Sequence, residues 1–329
     1  MEIPDYWAEA RLVGEVDGRR RVVRRQGWSE QSPLEAQAHA EARARLALEA
    51  LQAGEQVPSL EGKRVYGEDG MPIREQVLAR TAGMVVTRNQ YGAQCLNVAD
   101  VLFADVDLKP SLSPAGEFFW NSLQRLTAVG ALTIALLQFG SRSWGQGCLW
   151  LFGTCASVLV LSIIHGLLAR GSKAKAAHRR RTQMKIAMVA GAQGLRLALY
   201  ESTKGFRVLA LNRTLDPVAE ETQKLFRAMG TDTAYAQLCA LQRCFRARLT
   251  AKPWRIDLQR PPSRAVWPLT GERLEELKDW VAGYEERAAS YAACRHLQDL
   301  GEGEVDPRCA QVQGVHDELC RARTDLPLA

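Results

Sequence analysis

The sequence predicts an α+β cytosolic domain with an inserted two-helix transmembrane hairpin, and three observations predict it. From Phe118 to Tyr200 there is no Asp or Glu, in a chain that carries 37 of them elsewhere. Within that stretch, Cys148 to Ala169 is 22 residues without a formal charge. A helix of that length spans roughly 33 Å, enough for a bilayer core of about 30 Å. On both sides the pattern returns to period-two runs and capped amphipathic helices, so residues 1–110 and 186–329 read as two parts of one α+β body.

In chain order, the first segment, MEIPDYWAEARLVG, lacks the apolar core of a signal peptide, and residues 1–117 are expected to stay in the cytosol. The run Arg19–Arg25 reads as a strand or loop, either a solvated edge or a surface facing anionic lipid. Ser32 to Ala53 is a helix: Ser32 caps, Pro33 suits the first position, Glu35 completes a capping box and Gly54 stops it. Its alanines permit close packing against a sheet. Residues 83–108 then change period into three short strands with turns at Asn89–Gly92 and Asn97–Asp100.

The hairpin is expected to place one transmembrane helix over 118–140 and a second over 147–169. Arg125 is tolerated in the first by snorkelling, and Trp120, Trp144 and Trp150 fall at the interfaces. The basic juxtamembrane segment 170–185 offers Arg170, Lys173, Lys175, Arg179, Arg180 and Arg181 to lipid headgroups. The loop Ser141–Gly147 carries one cation, Arg142, so positive-inside logic puts both termini in the cytosol of a multi-pass bacterial inner-membrane protein. Without Lys185 and those six flanking cations, 36 basic residues face 37 acidic ones. The pI near 8.9 is then a membrane-flank signal and does not advertise nucleic acid.

Beyond the flank, residues 194–201 and 206–211 read as a β-hairpin. Helices are expected from Asp216 to before Gly230, from Thr231 to about Gln242, from Gly271 to Asp299, and from Asp306 to Arg321. The eight cysteines show no CxxC pair and no metal-ligand spacing. They read as reduced thiols, with His296 and His316 isolated.

Two constellations carry candidate chemistry. Asp105 and Asp107 alternate on a strand, hence share a face, and two such carboxylates gain most by sharing Mg²⁺ or Mn²⁺; the alternative is that they cap the following turn. The segment CFRARLTAKPWRIDL holds Arg246, Arg248, Lys252 and Arg255 around Phe245 and Trp254, with no acid before Asp257. With Arg207, these cations suit phosphate, a nucleotide or nucleic acid; the alternative is pairing with carboxylates such as Asp105.

IPDYWAEA at 3–10, TRNQYGAQCLN at 87–97, VLFADVDL at 101–108 and CFRARLTAKPWR at 244–255 resemble a family of uncharacterised bacterial proteins. That resemblance implies no established activity. Asp105-x-Asp107, followed by KGFRV at 204–208, is also faintly similar to the archaeo-eukaryotic primase fold. There a glycine-led strand bears a histidine where this chain has Arg207, and Asp257 would stand for the third acid. Two functions follow as expectations. One is a membrane-tethered scaffold or interaction module of unknown biochemical activity. The other is a metal-dependent phosphoryl- or nucleotidyl-transfer enzyme with a primase-like core using Asp105 and Asp107.

Overall fold

The computed structural model describes residues 1–58, 61, 71–108, 172–262, 267–269 and 271–329, with 130, 157, 160, 162 and 164 as isolated positions. Two compact units form, residues 1–106 with 189–329, and residues 107–188. The architecture is α+β, with helices set on three small sheets.

The N-terminal sheet is one hairpin. β1 (Tyr6–Val16) and β2 (Arg19–Ser29) pair antiparallel from Tyr6↔Ser29 to Val16↔Arg19. The turn is Asp17-Gly18, both with positive φ (52° and 69°), the conformation that lets a two-residue loop follow the strand twist. α1 (Pro33–Gln52) lies on this hairpin and buries Ala36, Ala40, Ala44 and Ala47. Ser32 Oγ accepts from the Glu35 N–H at 3.2 Å. Small residues set the approach: a Cβ at Gly27 of β2 would fall 2.1 Å from Ala40 N and 2.4 Å from Ala36 O. Both are helix backbone and cannot rotate away. Gly27→Ala is therefore expected to cost about 2–3 kcal/mol in urea unfolding. A loss below about 0.5 kcal/mol would show that α1 can retreat.

The second sheet is antiparallel and four-stranded, in the order β3 (Gln76–Thr81), β4 (Met84–Arg88), β5 (Gln94–Val98), β9 (Phe245–Arg248). The third has the order β10 (Arg295–Leu300), β7 (Leu197–Glu201), β8 (Gly205–Ala210), β6 (Phe103–Asp107). Strands from early and late in the chain are thus neighbours in both. Every residue of β8 is buried, so any polar group on it needs a partner inside the protein.

The remaining helices are α2 (Ser172–Ala192), α3 (Glu220–Met229), α4 (Thr233–Gln242), α5 (Glu272–Ala288) and α6 (Pro307–Cys320). α3 ends on Gly230, left-handed at φ 80°. α6 starts on Asp306, whose carboxylate accepts from the N–H groups of Arg308 and Cys309. The helix expected over 271–299 is shorter. It stops at Ala288, and Arg295–Leu300 leaves it to become an edge strand against β7, with a register shift between His296 and Gln298. The apolar stripe ends at Tyr291 because the next position on that face is Arg295.

The inserted transmembrane hairpin is corrected. Among the described residues no helix is long and apolar enough to cross a membrane. The expected spans 118–140 and 147–169 lie outside the described residues, except for Gly130, Ser157, Val160, Ser162 and Ile164. Residues 172–185 of the expected juxtamembrane segment form the first part of α2. That helix carries Lys173, Lys175, Arg179, Arg180, Arg181 and Lys185 of the expected basic flank. Arg170 lies outside the described residues. The multi-pass inner-membrane location and the tethering role are withdrawn with the hairpin.

Candidate functional site

Two places concentrate chemistry. The first is an exposed platform at one end of the β3–β4–β5–β9 sheet. Its base is the core around Ala251, Ile256, Tyr284 and Ala288. Tyr284 Oη donates to the Ala251 carbonyl at 2.6 Å, and Trp280 stacks on the Tyr284 ring at 4.9 Å and 10°. The β4–β5 turn wedges against Trp280. Gly92, at φ 85°, would place a Cβ 2.2 Å from that indole, so the turn closes only with glycine here. Asn89 Oδ1 accepts from the Tyr91 and Ala93 N–H groups, and Arg88 Nη1 donates to the Gly92 carbonyl at 2.9 Å. Tyr91 is thereby held on a rigid turn.

Facing it, Pro253–Arg255 forms a 3₁₀ turn that projects Trp254, 43% exposed. The Tyr91 and Trp254 rings meet edge to face at 5.4 Å and 89°. The Arg260 guanidinium lies over both, 5.3 Å from the tyrosine and 5.1 Å from the indole, and Lys252 Nζ is 5.5 Å from the same indole. Arg287 donates to the Ile256 and Asp257 carbonyls beneath. Of the acids nearby, Glu285 is paired with Arg88 at 2.5 Å, and Asp257 is exposed. The platform therefore combines preorganised aromatic edges with an excess of cations.

The second place is internal. Arg207 on β8 is 2% exposed. Its Nε donates to Asp105 Oδ1 on neighbouring β6 at 2.9 Å, and its Nη1 to the main-chain carbonyl of Arg248 at 2.7 Å. Burial is the largest single influence on Arg207 and opposes its charge, but Asp105 together with Cys294 and Cys320 holds the guanidinium pKa well above its usual value. On the far side Arg207 Nη1 lies 3.4 Å from His316 Nε2, and His316 Nδ1 lies 3.0 Å from Asp317 Oδ1. Cys294, which precedes β10, and Cys320, which ends α6, complete the cluster. The hydrogen bond with Cys320 outweighs burial and, with His316, holds the Cys294 thiol well below its ordinary range. Burial and the neighbouring Cys294 push Cys320 the other way. Among the described residues, Cys294, His316 and Cys320 are the one group of three or more potential ligands placed to hold a metal ion.

The predicted site residues separate accordingly. Asp105 is engaged with Arg207, and Asp107 is the last residue of β6. Arg246 is not on the platform: its Nη2 meets Glu75 Oε2 at 2.6 Å inside the sheet, and against burial, the largest influence, Glu75 together with Cys95 and Cys244 holds Arg246 above its usual pKa. Arg248 donates to the main-chain oxygens of Thr250 and Ala329. Burial, reinforced by the charges of Arg207 and Arg255, lowers the pKa of Arg248. Lys252 belongs to the platform, and Arg255 to the turn that carries it.

Residue reading missed the cluster. His316 and Cys320 stand four apart, one face of a helix, and that spacing was legible. Cys294 joins them only through the fold. Tyr91 and Arg260 were likewise too distant in sequence to be grouped with Trp254. No protein-family model, no curated protein and no solved structure matches this chain. The resemblances drawn from motifs therefore rest on those motifs alone.

Proposed function

We propose that this protein is a binding module for single-stranded nucleic acid, with the Tyr91–Trp254 platform as its contact surface. The observation that carries the reading is Arg260 lying across both rings of an aromatic pair, the exposed Trp254 and the half-buried Tyr91. A core does not need that tryptophan, and a solvated loop gains little from it. Bases stack on tyrosine, tryptophan and guanidinium planes alike, which makes such a surface sequence-tolerant, and flanking cations take the phosphates. Lys252, Arg255 and Arg260 supply that charge within a few residues of Trp254. The metal-dependent transferase is not carried forward. No family match supports it, and the carboxylate it would use first, Asp105, is held by a buried arginine.

The test is fluorescence anisotropy of a labelled oligothymidylate or oligouridylate titrated with the full chain. Micromolar binding is expected, weakening with salt. Trp254→Ala should reduce affinity about 5- to 100-fold, the range of one lost base stack. Arg260→Ala should reduce both affinity and salt dependence. Binding that Trp254→Ala leaves unchanged, or that heparin reproduces equally in both proteins, would reject the platform. So would no binding at low salt.

A further inference from the structure

We propose that Cys294, His316 and Cys320 form a binding site for a soft divalent metal ion, zinc by its donor set. The three donor atoms lie within 4.8 Å of one another, and all three residues are buried. Cys294 Sγ is 3.7 Å from His316 Nε2. Zinc bonded to sulfur at about 2.3 Å and nitrogen at about 2.0 Å in a tetrahedron separates those ligands by about 3.5 Å, so the pair already stands close to ligand spacing. Two sulfurs and an imidazole favour zinc over magnesium or calcium, which take oxygen.

The far side of the imidazole supplies an independent observation. His316 Nδ1 faces Asp317 Oδ1 at 3.0 Å, and Asp317 Oδ2 is held by Arg323 Nε at 2.9 Å. This is the carboxylate–histidine arrangement that directs Nε2 at a metal and fixes the ring. The ring is further clamped between Tyr200, edge to face at 4.8 Å, and Phe103 at 5.1 Å. A histidine buried only to fill space would not need its orientation set by a carboxylate, an arginine and two aromatic rings.

Two thiolates neutralise a divalent ion, and Arg207 beside them is already balanced by Asp105. The described residues supply three ligands of the four that zinc takes. The ion would tie the segment entering β10 to the end of α6. Those elements also meet through the Ala293 N–H, which donates to the Cys320 carbonyl at 3.0 Å. Packed cysteines are common in cores, and Cys309 at the other end of α6 is one such: its thiol contacts the Arg213 carbonyl at 3.5 Å and no histidine.

The full chain, expressed with zinc and desalted, should carry one zinc per molecule by elemental analysis. Replacement by Co²⁺ should give visible d–d bands with sulfur-to-metal charge transfer. Cys320→Ser should weaken zinc at least about tenfold, while Cys309→Ser keeps it. Because Cys320→Ser alters a fully buried side chain and can itself unfold the protein, a chelator titration of the wild type stands beside it, with a fall in Tm expected. Wild type without zinc and without a Co²⁺ spectrum would overturn the site, as would a Cys294–Cys320 disulfide in freshly purified protein. Oligonucleotide binding is read separately, so either proposal can fail alone.

Discussion

Arg246→Met is expected to destabilise the protein by about 3–5 kcal/mol, because it strands a carboxylate inside a sheet. Glu75 is 3% exposed, and Arg246 reaches it across the full span from β9. The pair belongs to a polar ladder in which Asn97 Oδ1 is left without a partner. Thr87 Oγ1 donates to Glu75 at 2.7 Å, and Asn97 Nδ2 donates to Thr87 Oγ1 at 2.9 Å and to the Val85 carbonyl at 2.8 Å. Asn97 and Arg246 are directly opposed in the β5–β9 register. Losing the guanidinium leaves Glu75 with one neutral donor and no solvent. Glu75→Met with Arg246→Met should recover most of the loss, since two apolar chains of similar volume remove both the charge and its desolvation. Urea unfolding of the three variants measures this. A single-variant loss under about 1 kcal/mol would mean that water reaches Glu75.

That ion pair also marks where residue reading stops. Arg246 and Arg248 alternate on β9 as their spacing implies, yet one faces Glu75 and the other the main-chain oxygens of Thr250 and Ala329. Glu75 is 171 residues away from its partner, and no local pattern announces it. Local rules did fix α1 through Ser32 and Pro33, and the end of α3 through Gly230, since caps depend on neighbours in sequence, whereas the Glu35 carboxylate meets Ser29 Oγ and closes no capping box. The Asp17-Gly18 turn was equally local but was masked by the arginine run that follows it. β10 was lost because its burial is set by pairing with β7 and not by its own alternation. The uncharged run Cys148–Ala169 met a length-and-charge criterion that reports composition alone. It carries no information about what those side chains pack against.

Arg207→Met is expected to cost about 3 kcal/mol. The buried guanidinium serves three groups at once, so its loss is felt in three places. Asp105 loses its ion pair, the Arg248 carbonyl loses a 2.7 Å donor, and the space beside His316 and Cys320 loses the cation that faces it. The side chain of Asp105 is 36% exposed, so water recovers part of its solvation and the cost stays at the lower end for a broken buried pair. Asp105→Asn keeps an acceptor for Arg207 but leaves a buried guanidinium without its counter-charge, so it should also cost about 2–3 kcal/mol. In the double variant the losses should not add, because the carboxylate stranded by Arg207→Met is then gone. Additive losses would show that Asp105 and Arg207 act independently. A single Arg207→Met loss within about 0.5 kcal/mol of zero would show that this arginine, buried on the central strand of its sheet, is not needed to close it.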